Sequence, residues 1–126
     1  MMIRTDDQEY IVNKEFDVVV LRQAIREVAR SLELSLVQQA RITAAISDIA
    51  RDLLTHHWSM VFSILVHPVG LRRAMDVVCQ KPDQQPHPSY VEFEREISID
   101  SARQLLDEAT FSHAAGHPLL TLRIWI

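Results

Sequence analysis

Asp48, Asp52 and His56 stand at four-residue steps along the chain. If that stretch is helical, the three side chains share one face, because positions i and i+4 lie one above the other. A helical set of carboxylates and an imidazole can ligate a divalent cation. No convincing further ligand accompanies them, so a solvated polar face is the simpler account. His57 follows at what should be a helix end, where imidazoles favour the negative end of the helix dipole. His87, His113 and His117 fall in stretches read as loop and are best taken as surface histidines. Cys79 closes an apolar run and reads as a small buried residue rather than a nucleophile. Glu92, Glu94 and Glu96 read as the wet face of a strand, where charges discourage unwanted pairing. Arg22, Arg26 and Arg30 form a basic ridge at i, i+4 and i+8, either a solvated helix face or a dock for an acidic partner.

The elements that would position these residues follow from periodicity. Residues 10–12 are short and β-prone and predict an edge strand. From Asp17, a reasonable N-cap, Val18, Leu21, Ile25, Val28 and Leu32 recur at helical steps and form one apolar face. Ser35 and Gln38 match a capping box, opening a second helix to about residue 55 with Ile42, Ile46, Ile49 and Leu53 as its stripe. The two predict an αα-hairpin. Residues 58–66 alternate apolar and polar, as a strand with one buried face does. Residues 67–70 read as a turn and 71–79 as the returning strand of a hairpin. Residues 81–89 hold three prolines and predict loop. Alternation returns over 90–99, predicting another strand. Asp100 then caps a short helix with Ala102, Leu105, Leu106 and Ala109 inward. Residues 114–118 predict a turn and 119–126 a closing strand. This order predicts an α+β two-layer sandwich.

Length and composition set bounds. At 126 residues, with 48% apolar and 24% charged side chains, residues 1–126 suit one globular domain. A formal charge of −4 argues against a nucleic-acid binder that tracks phosphates. One cysteine allows no internal disulfide and fits a reducing, cytoplasmic setting. The acidic N-terminal residues do not read as a signal peptide, and the most apolar run is about half a membrane span.

The run 39–52, Gln-Ala-Arg-Ile-Thr-Ala-Ala-Ile-Ser-Asp-Ile-Ala-Arg-Asp, resembles the first ATP-binding motif of the GHKL (Bergerat-fold) class. The form is that of bacterial anti-sigma factors and switch-protein serine kinases, whose pattern Ala-Val-Ser-Glu-Leu-Ala-Arg-Asn meets Ala-Ile-Ser-Asp-Ile-Ala-Arg-Asp here. Residues 101–108, Gly116 and residues 122–125 are similar to that branch's closing helix, turn and Trp-ended strand. The likeness runs in order through most of the chain and is weakest over 80–100. It implies a mixed, mostly antiparallel sheet with helices on one face, protein partners and homodimerisation. The implied partners are a sigma factor, a STAS-domain antagonist or a phosphatase regulator, with neither nucleic acid nor membrane involved.

The departures from the family pattern concern the nucleotide. Asp48 matches the carboxylate that activates a water or hydroxyl, one methylene shorter. Asp52 replaces the Asn that helps hold Mg²⁺, and a second acid repels an incompletely neutralised triphosphate. Asp83 matches the aspartate that bonds adenine, but Gln85 and His87 stand where the family needs glycine. Side chains there restrict positive φ and close backbone approach. Pro118 and Leu119 replace the Gly-Thr of the last turn. With only Gly70 and Gly116 in the chain, a cradle of glycines and free amides cannot be assembled for phosphates. The expectation is a degenerate ATP site, with Asp48 a vestigial catalytic carboxylate, Asp52 and Asp83 vestigial cofactor positions, and no metal or cofactor. Regulation would then run through partner switching. The other reading is an active serine/threonine kinase using ATP and Mg²⁺, with Asp48 as base and Asp52 assisting the metal. A third is a sensor whose vacated pocket takes another ligand.

Overall fold

The computed structural model describes residues 3–80, 90–114 and 117–126. The elements are β1 (Ile3–Val12), α1 (Glu15–Ser31), α2 (Leu36–Thr55), β2 (Met60–Val69), β3 (Arg72–Gln80), α3 (Tyr90–Glu96), α4 (Asp100–Leu105), β4 (Glu108–Ala114) and β5 (His117–Trp125). The strands form one sheet in the order β1-β2-β3-β5-β4. Every pairing in it is antiparallel rather than mixed. The architecture is α+β, as the element order predicts.

Hydrophobic burial orients the layers. On α1 the residues buried are Val18, Leu21, Ile25 and Ala29, while Val28 and Leu32 pack only partly. On α2 the stripe Ile42, Ile46, Ile49 and Leu53 is buried as its spacing requires. Both helices join one core with Met60, Phe62, Ile64, Met75, Val77, Leu120, Leu122 and Ile124 from alternate positions of the central strands. β2 is buried beyond strict alternation, since Val61 and Ser63 are also covered.

Helix boundaries follow local hydrogen bonding. Ser35 caps α2: its Oγ accepts the Gln38 N–H at 3.1 Å, and Gln38 Oε1 accepts the Ser35 N–H at 3.0 Å. Asp17 is not the N-cap of α1, which Lys14 is. It lies inside the first turn, where its carboxylate accepts the N–H groups of Asn13 and Lys14 at 2.9 and 3.2 Å. The helix therefore starts three residues earlier than the cap reading predicts. Both long helices end through a residue with left-handed backbone, Glu33 at φ 60° and His57 at φ 58°. The following amides, of Leu34 and Trp58, reach back to the Ala29 and Leu53 carbonyls, each at 3.1 Å. This closure satisfies helix-end carbonyls and usually employs glycine.

Several sequence expectations change. β1 is a full edge strand rather than residues 10–12 alone, with a register shift between Arg4 and Glu9. The β2–β3 turn narrows to Gly70 and Leu71, since Val69 already pairs with Arg72. Gly70 adopts φ 62° there, which glycine tolerates without cost. Residues 90–96 are helix, not strand: Phe93 and Ile97 are buried four apart, while Val91, which a strand would bury beside Phe93, is 66% exposed. Asp100 begins α4 after Ile99 and makes no capping bond. Ala109 belongs to β4, an edge strand the helical reading of 100–109 concealed. His113 and Pro118 are strand residues that pair with each other, and His117 pairs with Ala114. The loop reading of 81–89 lies outside the described residues.

Glu33→Gly should raise stability by about 1 kcal/mol, the cost of a left-handed non-glycine residue. Urea unfolding followed by far-UV circular dichroism would register a higher midpoint at unchanged slope.

Candidate functional site

Burial of the α2 stripe leaves Asp48 toward solvent and Asp52 beside the α3–α4 connection. Asp48 is exposed on this helix. Asp52, one turn on, is two-thirds covered, its side chain retaining 33% exposure. Its Oδ2 accepts the backbone N–H of Ser98 at 3.2 Å, in the connection between α3 and α4. Its Oδ1 lies 3.8 Å from His56 Nε2, too far for a hydrogen bond. Asp52 and His56 are thus brought together, and Asp48 stays apart on the same helix. Asp83, Gln85 and His87 lie outside the described residues.

Aromatic packing fixes the backbone that reaches Asp52. His56 stacks on Trp58 with ring centres 4.7 Å apart, and Trp58 lies 6.3 Å from Phe93. Phe93 meets Phe111 edge-on at 5.5 Å. Phe93 is fully buried, so this chain of rings ties the end of α2 to α3 and β4. The Ile97 amide continues the α3 ladder to the Phe93 carbonyl at 3.1 Å, and Ser98 follows directly. Beside this connection an open groove of about 390 Å³ is lined by Glu94, Arg95, Ile99, Asp100, Arg103 and Phe111 among others. Its charges are mixed. Among the described residues, no three His, Cys, Asp or Glu side chains gather as a metal-holding group. No described helix is long and apolar enough to cross a membrane.

A second polar cluster escaped sequence reasoning. Asp76 alternates with the core residues Met75 and Val77 and so points to the other sheet face, yet it is only 3% exposed. Arg123 grips it with two bonds, Nε to Oδ1 at 2.7 Å and Nη2 to Oδ2 at 2.8 Å. His67 Nε2 meets Oδ2 at 2.7 Å. The bonds to Asp76 hold the Arg123 pKa above its ordinary value, against the opposing pull of burial. Arg72 and Arg123 both lie over the Trp125 ring, at 4.4 and 5.1 Å. An acid interrupting the apolar run 74–79 was the available signal. Its partner becomes visible only through the register that sets Asp76 opposite Arg123.

Cys79 faces the core and is wholly buried, which pushes its thiol pKa well above the usual range. It fits the small-residue reading and not a nucleophile, which acts as the thiolate.

Comparison with curated proteins gives a partial likeness. The chain is 45% identical over 49 residues to the serine/threonine-protein kinase RsbT of Bacillus subtilis (strain 168). The match covers 38% of this chain and 37% of that kinase. No protein-family model matches. The likeness supports a relation to the anti-sigma factor and serine-kinase regulators that the residue pattern resembles.

Two outcomes test this geometry. Asp76→Ala removes both short bonds to Arg123, leaving it only Glu108 at 3.9 Å, and should destabilise the fold by about 3 kcal/mol, read from the urea midpoint. Cys79 should react with a thiol reagent in urea only, with no measurable labelling of the folded protein.

Proposed function

We propose that this chain is a regulatory protein-binding module related to anti-sigma factors and serine kinases, acting by partner switching with its ATP site degenerate. The observation that carries this reading is the hydrogen bond from the Ser98 amide to Asp52. By the resemblance, Asp52 stands for the Asn that helps hold Mg²⁺ in that family, and here its carboxylate accepts from the protein's own backbone. Gln85 and His87 at glycine positions, and the replacement of Gly-Thr by Pro118-Leu119, favour the same reading. Asp48 and Asp83 are then vestiges of catalysis and adenine binding. Function rests on contacts with a protein partner: a sigma factor, a STAS-domain antagonist or a phosphatase regulator, in the cytoplasm.

The exposure of Asp48 on α2 favours one second reading. In it the chain is an ATP-dependent serine/threonine kinase in which Asp48 is the base and Asp52 assists Mg²⁺. Likeness to RsbT, a serine/threonine-protein kinase, is compatible with either reading.

Calorimetry of the full chain with ATP and Mg²⁺ separates them. The module reading expects no binding heat at millimolar nucleotide. Binding at micromolar nucleotide overturns it in favour of the kinase.

A further inference from the structure

The outward side of α1 combines features that its own fold does not use. Phe16 is 66% exposed, Val19 40% and Val20 38%, on a helix whose opposite face is fully buried. Alongside them run Arg22, Arg26 and Arg30, successive at four-residue steps and therefore on one flank. Val19, Arg22, Gln23 and Arg26 line a small cavity of about 220 Å³. Arg22, one of these lining residues, has a buried Nε with no hydrogen-bond partner among the described residues. A buried unpaired donor loses its hydration without replacement, so a native structure ordinarily satisfies it.

Two of the three acids of α1 are engaged away from this flank. Glu15 is paired with Arg51 of α2 at 3.0 Å. Asp17 is occupied by the amides of Asn13 and Lys14. Glu27 is exposed, leaving three arginines against one free-standing acid along this side of the helix. A basic strip is thereby segregated on a chain whose formal charge is −4. That segregation favours an acidic ligand and disfavours further copies of this acidic chain.

We infer that the α1 flank formed by Val19, Arg22, Gln23 and Arg26, with Phe16 and Val20 beside it, docks an acidic amphipathic segment of a partner protein. A carboxylate of the partner enters the cavity and accepts from the guanidinium groups of Arg22 and Arg26. Its apolar side covers Val19 and Phe16. Two charge-assisted bonds give orientation, and the apolar contact excludes water around them. This surface rests on the reading of the chain as a protein-binding module and names the chemistry of its partner.

The test is an NMR titration of the isotopically labelled full chain with a short helical Glu/Leu peptide and, separately, a Lys/Leu peptide of equal length. The Glu/Leu peptide should shift the α1 amides and the Arg22 Nε resonance, and the Lys/Leu peptide should not. Arg22→Glu should weaken binding about tenfold. Arg26→Glu, at an exposed position where folding is not at stake, should weaken it in the same direction. Silence of α1, shifts confined to another face, equal binding of both peptides, or indifference to Arg26→Glu overturns the inference. So does binding to phosphatidylserine vesicles without binding to the peptide, or concentration-dependent broadening of α1 alone, which would assign the face to a membrane or to a second copy. ATP and Mg²⁺ added to the same sample separate the two levels. Shifts at Asp48 and Asp52 overturn the nucleotide-free reading, while silence of α1 toward the peptide overturns only the docking surface.

Discussion

Helix α2 is buried over more of its circumference than its apolar stripe alone requires, and the placement of the surrounding polar groups follows from that. Ile42, Ile46, Ile49 and Leu53 face the core, but Gln39, Thr43 and Ser47 are also buried. Each of these is satisfied locally. Gln39 Nε2 donates to the Leu34 carbonyl at 3.0 Å, Thr43 Oγ1 to Gln39 at 2.6 Å, and Ser47 Oγ to Thr43 at 2.7 Å. Such back-bonding lets hydroxyl-bearing residues enter a packed helix without the penalty of an unmet polar group. Asp48 is left facing solvent, and Asp52 is left at the margin where the α3–α4 connection passes.

That margin carries the functional argument. A carboxylate beside triphosphate oxygens needs a cation to offset repulsion, whereas a carboxylate beside a backbone amide is already stabilised. The aromatic series His56, Trp58, Phe93 and Phe111 holds the connection in register with the end of α2. The bond to Ser98 is therefore supported by packing on both sides. The opposite sheet face has its own polar unit, in which the Asp76 carboxylate bonds both Arg123 and His67.

The two long helices were legible in the sequence because their signals are local: an apolar period in both, and in α2 a capping box as well. The β2–β3 hairpin was legible for the same reason, although its turn proved tighter. Residues 90–99 were not, since Val91, Phe93, Ile97 and Ile99 fit a strand at alternate positions, while Phe93 and Ile97 equally fit a helix. Tertiary packing decides such a short segment. β4 was hidden because Ala109 continues the helical spacing of Ala102, Leu105 and Leu106, and only pairing with β5 makes it a strand. For the site, the α2 positions of Asp48 and Asp52 could be read directly, but the Ser98 contact spans 46 residues and carries no pattern. The same is true of Arg123 and Asp76, 47 residues apart.

The central claim is that the protein's own backbone occupies the Asp52 carboxylate. Amide hydrogen exchange at Ser98 addresses it directly, compared between the wild type and Asp52→Ala, each with and without ATP and Mg²⁺. The account predicts a protected Ser98 amide in the wild type, unchanged by nucleotide, and faster exchange in the variant. A Ser98 amide that exchanges freely in the wild type, or whose protection changes when ATP and Mg²⁺ are added, would contradict it.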